Sequence, residues 1–159
     1  MEPLECPLAI EAASVPLRRK ISNYPEPFFS RMLKRDKRAL GEFFGLKTFG
    51  VNLTRLAPGG ESALMHRHGK QDEFVYVIEG VATLVTDRGE VELRAGMCSG
   101  FAAGGVAHQL VNRSGADVLY LEIGDRQRGD SVEYPYDDLA AGLDADGQWV
   151  FTHKDGRPY

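Results

Sequence analysis

The run from Gly60 to Gly80, GESALMHRHGKQDEFVYVIEG, decides how this chain is read. In an extended strand alternate side chains share a face, so His66 and His68 present two imidazoles side by side while Arg67 points away. Glu73 follows His68 by five residues, the wrong parity for one continuous strand, so the alternation must be reset between them. Gly69, Lys70, Gln71 and Asp72 supply that reset as a polar turn. A second strand then runs from Glu73 through Ile78 until Gly80 permits a tight turn, which sets Glu73 beside the imidazole pair. A fourth ligand is expected from elsewhere in the sheet. The stretch from Gly96 to Asn112 offers His108 at the head of a short apolar strand. The expected donor set is therefore His66, His68, Glu73 and His108.

The spacing resembles the first motif of the cupin superfamily: Gly, five residues, His-x-His, three or four residues, Glu, six residues and Gly. Gly60, His66, His68, Glu73 and Gly80 match each position. The second motif of that family falls on Gly96, Gly104, His108 and Asn112. It departs from the family in having Ala102 in place of Pro and three residues rather than two between Gly104 and His108. A Gly104–Gly105 pair is able to absorb the extra residue. The resemblance implies an all-β double-stranded β-helix, or jelly roll. The stretch Tyr120 to Arg126 and the tail look like those of small bacterial single-domain cupins labelled sugar-phosphate isomerase-like. A His-x-His pair alone is often two inert hydrogen-bonded histidines. Here three of the four histidines fall in the pattern, and His153 is expected at the surface.

Strand and turn signals recur along the rest of the chain. Residues 45–124 are expected to form the barrel. Phe49, Val51 and Leu53 share a face of its first strand. Val81 to Thr86 and Val91 to Leu93 flank a turn at Asp87 to Gly89, and Asn112 to Asp117 turns into Val118 to Ile123. Residues 1–44 read as an N-terminal arm, with prolines at 3, 7, 16, 25 and 27 and a short helix from Phe28 to Leu40 ended by Gly41. Residues 125–159 read as a C-terminal arm with a short helix around Asp138 to Gly142. Its Tyr134, Tyr136, Trp149 and Phe151 are expected to dock on the barrel. Both arms would cover sheet edges, with a homodimer as the expected assembly.

At 159 residues the chain is long enough for one well-buried core, and 18 glycines suit short strands and turns. The net charge of −4 argues against a general nucleic-acid binder, which needs a basic surface. Arg31, Lys34, Arg35, Lys37 and Arg38 cluster around a helix-like segment that could touch an anion or a nucleic acid, and are read first as a solvated helix face. The acidic C-terminal third, including Glu122 and Asp130, reads as a solubilising surface. Cys6 and Cys98 lack disulfide or metal spacing, and Cys98 reads as a small buried hydrophobe. With no apolar leader and no run long enough to cross a membrane, a cytoplasmic protein is expected.

Three imidazoles and a carboxylate leave a divalent ion with net positive charge and, if octahedral, two open positions. Zn, Mn, Fe, Ni and Co are all compatible. Val75 and Val77 share the Glu73 face and give the ion an apolar wall. The expected ligand is a small oxygen-rich metabolite, and the leading expectation is a metal-dependent isomerase or epimerase on a sugar or sugar phosphate. The alternatives are an Fe(II) dioxygenase and a non-catalytic small-molecule binding protein. Arg55, Tyr76, Gln109 and Tyr120 are weaker pocket candidates. The proton-transferring base cannot be chosen among Tyr76, Tyr120 and Glu122, whose facing the sequence leaves open.

Overall fold

The structure is a computed structural model that describes residues 6–159. Glu2, Pro3 and Glu5, part of the expected N-terminal arm, lie outside the described residues. In chain order the elements begin with strand β1 (Arg35–Ala39), the single turn α1 (Leu40–Phe43), β2 (Phe49–Leu56) and β3 (Arg67–His68). Next come β4 (Glu73–Glu79), β5 (Val81–Thr86), β6 (Gly89–Arg94), β7 (Cys98–Phe101) and β8 (His108–Val111). The last are β9 (Val118–Asp125), β10 (Ser131–Glu133), β11 (Ala140–Leu143) and β12 (Trp149–Thr152).

One layer is a five-stranded antiparallel sheet in the order β1-β2-β9-β4-β7. The other joins the three-stranded sheet β6-β5-β8 to the four-stranded sheet β12-β11-β10-β3. The join consists of isolated bridges between Glu61 and Val111 and between His66 and His108. Side chains of both layers meet in one core: Leu56, Val75, Val77, Val118 and Tyr120 from the first, Ala82, Leu84, Leu93 and Leu110 from the second. Each fully buried aliphatic side chain there contributes roughly 1.5–3 kcal/mol. Met32, Leu64, Val132, Tyr134 and Leu139 form a second core where the N- and C-terminal segments meet the sheet. The result is a jelly-roll β-sandwich.

Two positions in the turns require glycine. Gly80, between β4 and β5, has φ of +82°, and a Cβ there would lie 2.4 Å from the Asp117 carbonyl oxygen. Gly104 has φ of +70°, donates its N–H to the His68 carbonyl at 2.7 Å, and so folds the extra residue of the 102–107 loop back against β3.

Several expectations are overturned. Phe28 to Leu40 is not a helix: only Phe29–Met32 makes a 3-10 turn, and Arg35–Ala39 becomes strand β1. Pairing with β2, from Arg35 opposite Leu56 to Ala39 opposite Asn52, overrides the local helix preference. No helix forms around Asp138 to Gly142 either: Asp138 lies in a bend, and Ala140–Leu143 is a strand paired on both sides. Phe49, Val51 and Leu53 do share a face, as expected, in register with Leu121 and Ile123; Leu53 is buried there, while the opposite face gives the fully buried Leu56 to the central core. Cys98 is exposed rather than buried, since its place opposite Tyr76 turns it outward.

Candidate metal centre

β4 alternates inward and outward as its parity demands. Val75 and Val77 are buried, whereas Phe74, Tyr76 and Ile78 are 40–41% exposed. Glu73 is thereby turned into the space between the layers. Opposite it, His66 and His108 exchange backbone hydrogen bonds of 3.1 and 2.8 Å, which places their rings side by side with centroids 4.6 Å apart. His68 stands two residues on, its ring 5.3 Å from that of His66. Phe101, facing Glu73 across the β4–β7 pairing, stacks on the His108 ring.

All three rings turn Nε2 toward the Glu73 carboxylate. His108 Nε2 lies 2.9 Å and His66 Nε2 3.1 Å from Oε2, and His68 Nε2 lies 3.6 Å from Oε1. On their far sides the rings are tied by Nδ1: His66 to the Leu64 carbonyl at 2.8 Å, His108 to the Val106 carbonyl at 3.3 Å, His68 to Asp130 Oδ2 at 2.5 Å. Carbonyls only accept, so Nδ1 carries the proton in His66 and His108, and a neutral ring then has its lone pair on Nε2. Lone pairs aimed at a carboxylate at these distances repel unless a proton or a cation lies between them. The donor set therefore fits a divalent metal, with each ring oriented by a hydrogen bond on its outer nitrogen. His66, His68 and Glu73 offer ligand atoms within 4.8 Å of one another and are positioned to hold a metal ion.

Without a metal, protons fill that role. Burial pushes the Glu73 carboxyl up, but hydrogen bonds from His108 and His66 and the charges of His66 and His68 outweigh it and hold Glu73 well below the usual carboxylate range. Burial pushes His66 down, and its hydrogen bond and charge pairing with Glu73 reverse this, raising it above an ordinary imidazole.

Asp130 is the site residue that sequence reasoning missed. Its acidic neighbourhood reads as solubilising surface, yet Asp130 is 1% exposed. Besides His68 it accepts the backbone N–H of Lys70 at 2.8 Å and of Gln71 at 3.3 Å, so it also fixes the turn that resets the alternation before Glu73. The local sequence carries no signal for this, because Asp130 precedes the short polar strand Ser131–Glu133 in an acidic stretch.

The four expected ligands line one cavity of about 240 Å³, together with Tyr120 and Glu122 from β9. Of the weaker candidates only Tyr120 lies there. Tyr76 is on the outer face, Gln109 points opposite to His108 and Leu110 on β8, and Arg55 is occupied by Asp36 and by Asp117 at 2.9 Å. His153 is away from the cavity, bonded to Asp138 at 2.7 Å and stacked on Tyr159.

The basic cluster is not a solvated helix face. Arg31 pairs with Glu61 at 2.7 Å and Asp137 at 3.3 Å, and Arg38 donates to the Val15 carbonyl. Arg35 and Lys37, on the inward face of β1, line the cavity. Glu122 is not a solubilising group either: Lys37 Nζ donates to its Oε1 at 2.6 Å, Asn52 is 3.4 Å from the same oxygen, and the Tyr120 hydroxyl is 3.5 Å from Oε2.

A two-layer antiparallel sandwich with an imidazole–carboxylate cluster between its sheets, positioned to hold a metal ion, defines a small jelly-roll protein with a candidate metal centre. The cupin domain family model matches residues 52–124. A crystal structure of a sugar phosphate isomerase from a cupin superfamily, from Silicibacter pomeroyi, is 40% identical, with 95% of this chain and 96% of that chain covered and a TM-score of 0.87. This chain belongs to the cupin superfamily. A candidate sugar phosphate isomerase from Acidithiobacillus ferrooxidans is 29% identical over 79% of this chain and 80% of its own, with a TM-score of 0.71. The polyketide cyclase RemF from Streptomyces resistomycificus, 22% identical over 74% of this chain and 78% of its own at a TM-score of 0.60, shares the fold. No curated protein matches the chain. Among the described residues no helix is long and apolar enough to cross a membrane.

Proposed function

We propose that the protein is a metal-dependent enzyme that isomerises or epimerises a small oxygen-rich metabolite of the sugar or sugar-phosphate class. The observation that carries this reading is the convergence of three Nε2 atoms on one carboxylate, each ring fixed from behind. His66, His68 and Glu73, with His108 as the fourth ligand, would hold the ion. Bound there, a divalent transition metal supplies Lewis acidity toward a carbonyl or hydroxyl oxygen, with Zn, Mn, Fe, Ni and Co all compatible with these donors. The names of two similar solved structures, the sugar phosphate isomerase from Silicibacter pomeroyi and the candidate one from Acidithiobacillus ferrooxidans, support the substrate class.

The chain's own residues do the rest. Val75 walls the cavity with hydrocarbon beside the cluster. Glu122 is the carboxylate in the cavity that lies outside the metal cluster, and it would take a proton from the carbon next to the substrate carbonyl. In isomerisation the proton goes to the former carbonyl carbon while the hydroxyl proton passes to the former carbonyl oxygen, and in epimerisation a proton returns to the same carbon from the other face. Burial raises Glu122, but the charge and hydrogen bond of Lys37 outweigh this and keep it ionised, as a base must be. Tyr120, pushed well up by burial and by Glu122, stays protonated.

Elemental analysis of protein purified without added metal tests the first half: one transition metal per chain is expected, and its absence sinks the reading. Incubation with a panel of aldose and ketose phosphates in D2O tests the second. Deuterium is expected to enter at the carbon next to the carbonyl, and the E122Q variant should lose that exchange while keeping its metal. Stoichiometric iron with oxygen uptake and no exchange would instead make it a dioxygenase. Tight binding with no turnover would make it a binding protein.

The row Phe74, Tyr76 and Ile78 on the outer sheet face, each 40–41% exposed, supports a homodimer buried through that face; sedimentation equilibrium reads it directly. Two unpaired thiols, Cys6 and Cys98, suit a reducing cytoplasm.

A further inference from the structure

The cavity carries more positive charge than the metal cluster uses. Arg18, Lys20, Arg35 and Lys37 all line it, against two carboxylates, Glu73 and Glu122. Glu73 belongs to the histidine cluster and Glu122 to Lys37, which leaves Arg18, Lys20 and Arg35 with no carboxylate within ion-pair distance among the described residues.

Arg35 is the telling member. It is only 7% exposed, and its guanidinium is held by neutral groups: Nη1 donates to the Ser62 carbonyl and lies 3.3 Å from Met32 Sδ, and Nη2 donates to the Ile21 carbonyl at 2.8 Å. Its Nε–H is buried with no acceptor. An orphaned donor on a buried cation that has no ion-pair contact is costly to retain unless something completes it. Carbonyl dipoles orient the group without cancelling its charge. The segment carrying Arg18 and Lys20 runs along the edge of β1, with the Arg18 N–H donating to the Lys37 carbonyl at 2.8 Å, so these two exposed cations sit at the same end of the cavity. Their field is felt: burial first, then Arg35 and Arg18, push Lys37 down against the opposing pull of Glu122.

We infer that Arg35, with Arg18 and Lys20 above it, forms an oxyanion-binding end to the cavity, so that the ligand is a small polyol bearing a phosphate or carboxylate at one end and metal-directed oxygens at the other. Arginine suits this, because its planar N–H groups match two oxygens of a phosphate or carboxylate at once. The inference deepens the proposed function but rests on a separate set of residues. The cationic end is supplied by the N-terminal segment and β1, outside the residues 52–124 that match the cupin domain.

Calorimetric titration of the metal-free protein with inorganic phosphate at low salt tests it, since no metal is then present to take the anion. Saturable one-site binding is expected, weakened at least roughly tenfold in R18A/K20A, the equivalent of one charge-assisted hydrogen bond. R35Q should abolish it. Because Arg35 also ties down Ser62 and Ile21, R35Q counts only if its thermal unfolding stays cooperative; R18A/K20A, on an exposed segment, decides the matter otherwise. Phosphate binding that is absent in the parent, or unchanged in R18A/K20A, overturns the inference. Ribose 5-phosphate, ribonate and ribose then identify the group: tighter binding of the phosphate ester assigns a phosphate, tighter binding of ribonate a carboxylate, and equal binding of all three overturns the inference. Phosphate affinity that survives in H66A/H68A separates this end from the metal centre, so either reading can fail alone.

Discussion

The two ends of the cavity are built on opposite plans. At the histidine end every donor has a partner behind it: Leu64, Val106 and Asp130 hold the outer nitrogens, and the three inner ones share Glu73. At the cationic end Arg35 is held by carbonyls, its Nε has no acceptor, and Arg18 and Lys20 stand exposed. One end is satisfied internally by protons when no metal is bound. The other stays short of negative charge whatever the metal does. On the proposed function, the ligand would be held at the cationic end and altered at the histidine end.

The most severe break is H66A/H68A, which should leave less than a tenth of the parent's metal by elemental analysis while phosphate binding persists. D130N comes next. It turns the charged acceptor behind His68 into an amide, and metal affinity measured by chelator competition should fall roughly 10–100-fold with little change at the cationic end. K37M leaves the Glu122 carboxylate without its cation in a largely buried place. Chemical denaturation should show a loss of about 1–3 kcal/mol with metal content intact.

The pH dependence of the metal-free protein sharpens the contrast further. Glu73 is depressed when folded, so its contribution is present above the ordinary carboxylate value of about 4.3 and lost as pH falls toward the folded value. His66 is raised when folded, so its contribution is present below about 6.5 and lost as pH rises through the folded value. The Tm of the metal-free protein should therefore peak in the window between, by a few degrees. With metal the optimum should move upward, because the ion needs deprotonated imidazoles. A Tm that climbs steadily from pH 5 to 8 without metal contradicts this. The smallest effect is expected from R55A: its pairs with Asp36 and Asp117 are 36–52% exposed on the outer side, and its loss should cost about 0–1 kcal/mol and leave both ends unchanged.

Legibility in the sequence follows how local each determinant is. The candidate ligands His66, His68 and Glu73 were readable because strand parity and a four-residue turn act over a short span. The β4–β5 turn at Gly80 and the start of β8 at His108 were readable for the same reason. Arg35 and Lys37 were not. A run with five basic residues in eight positions looks like a wet helix, and only pairing of Arg35 with Leu56 and of Lys37 with Thr54 in β2 decides that alternate members face the cavity. Asp130 was hidden by long range too, since it meets His68 across 62 residues of chain. Glu122 was noticed as a base candidate, but its facing depends on the register of β9 against β2 and β4, where it lies opposite Asn52 and Val75.

Asp130 has a second consequence. It clasps a ring at the metal centre and the backbone at residues 70 and 71, and it stands one residue before β10, the strand that carries the C-terminal hairpin onto β3. Filling the candidate centre with an ion would therefore be thermodynamically linked to fastening the tail. Stripping the ion should speed proteolytic nicking of the last thirty or so residues, and clipping the tail should in turn loosen the grip on the ion.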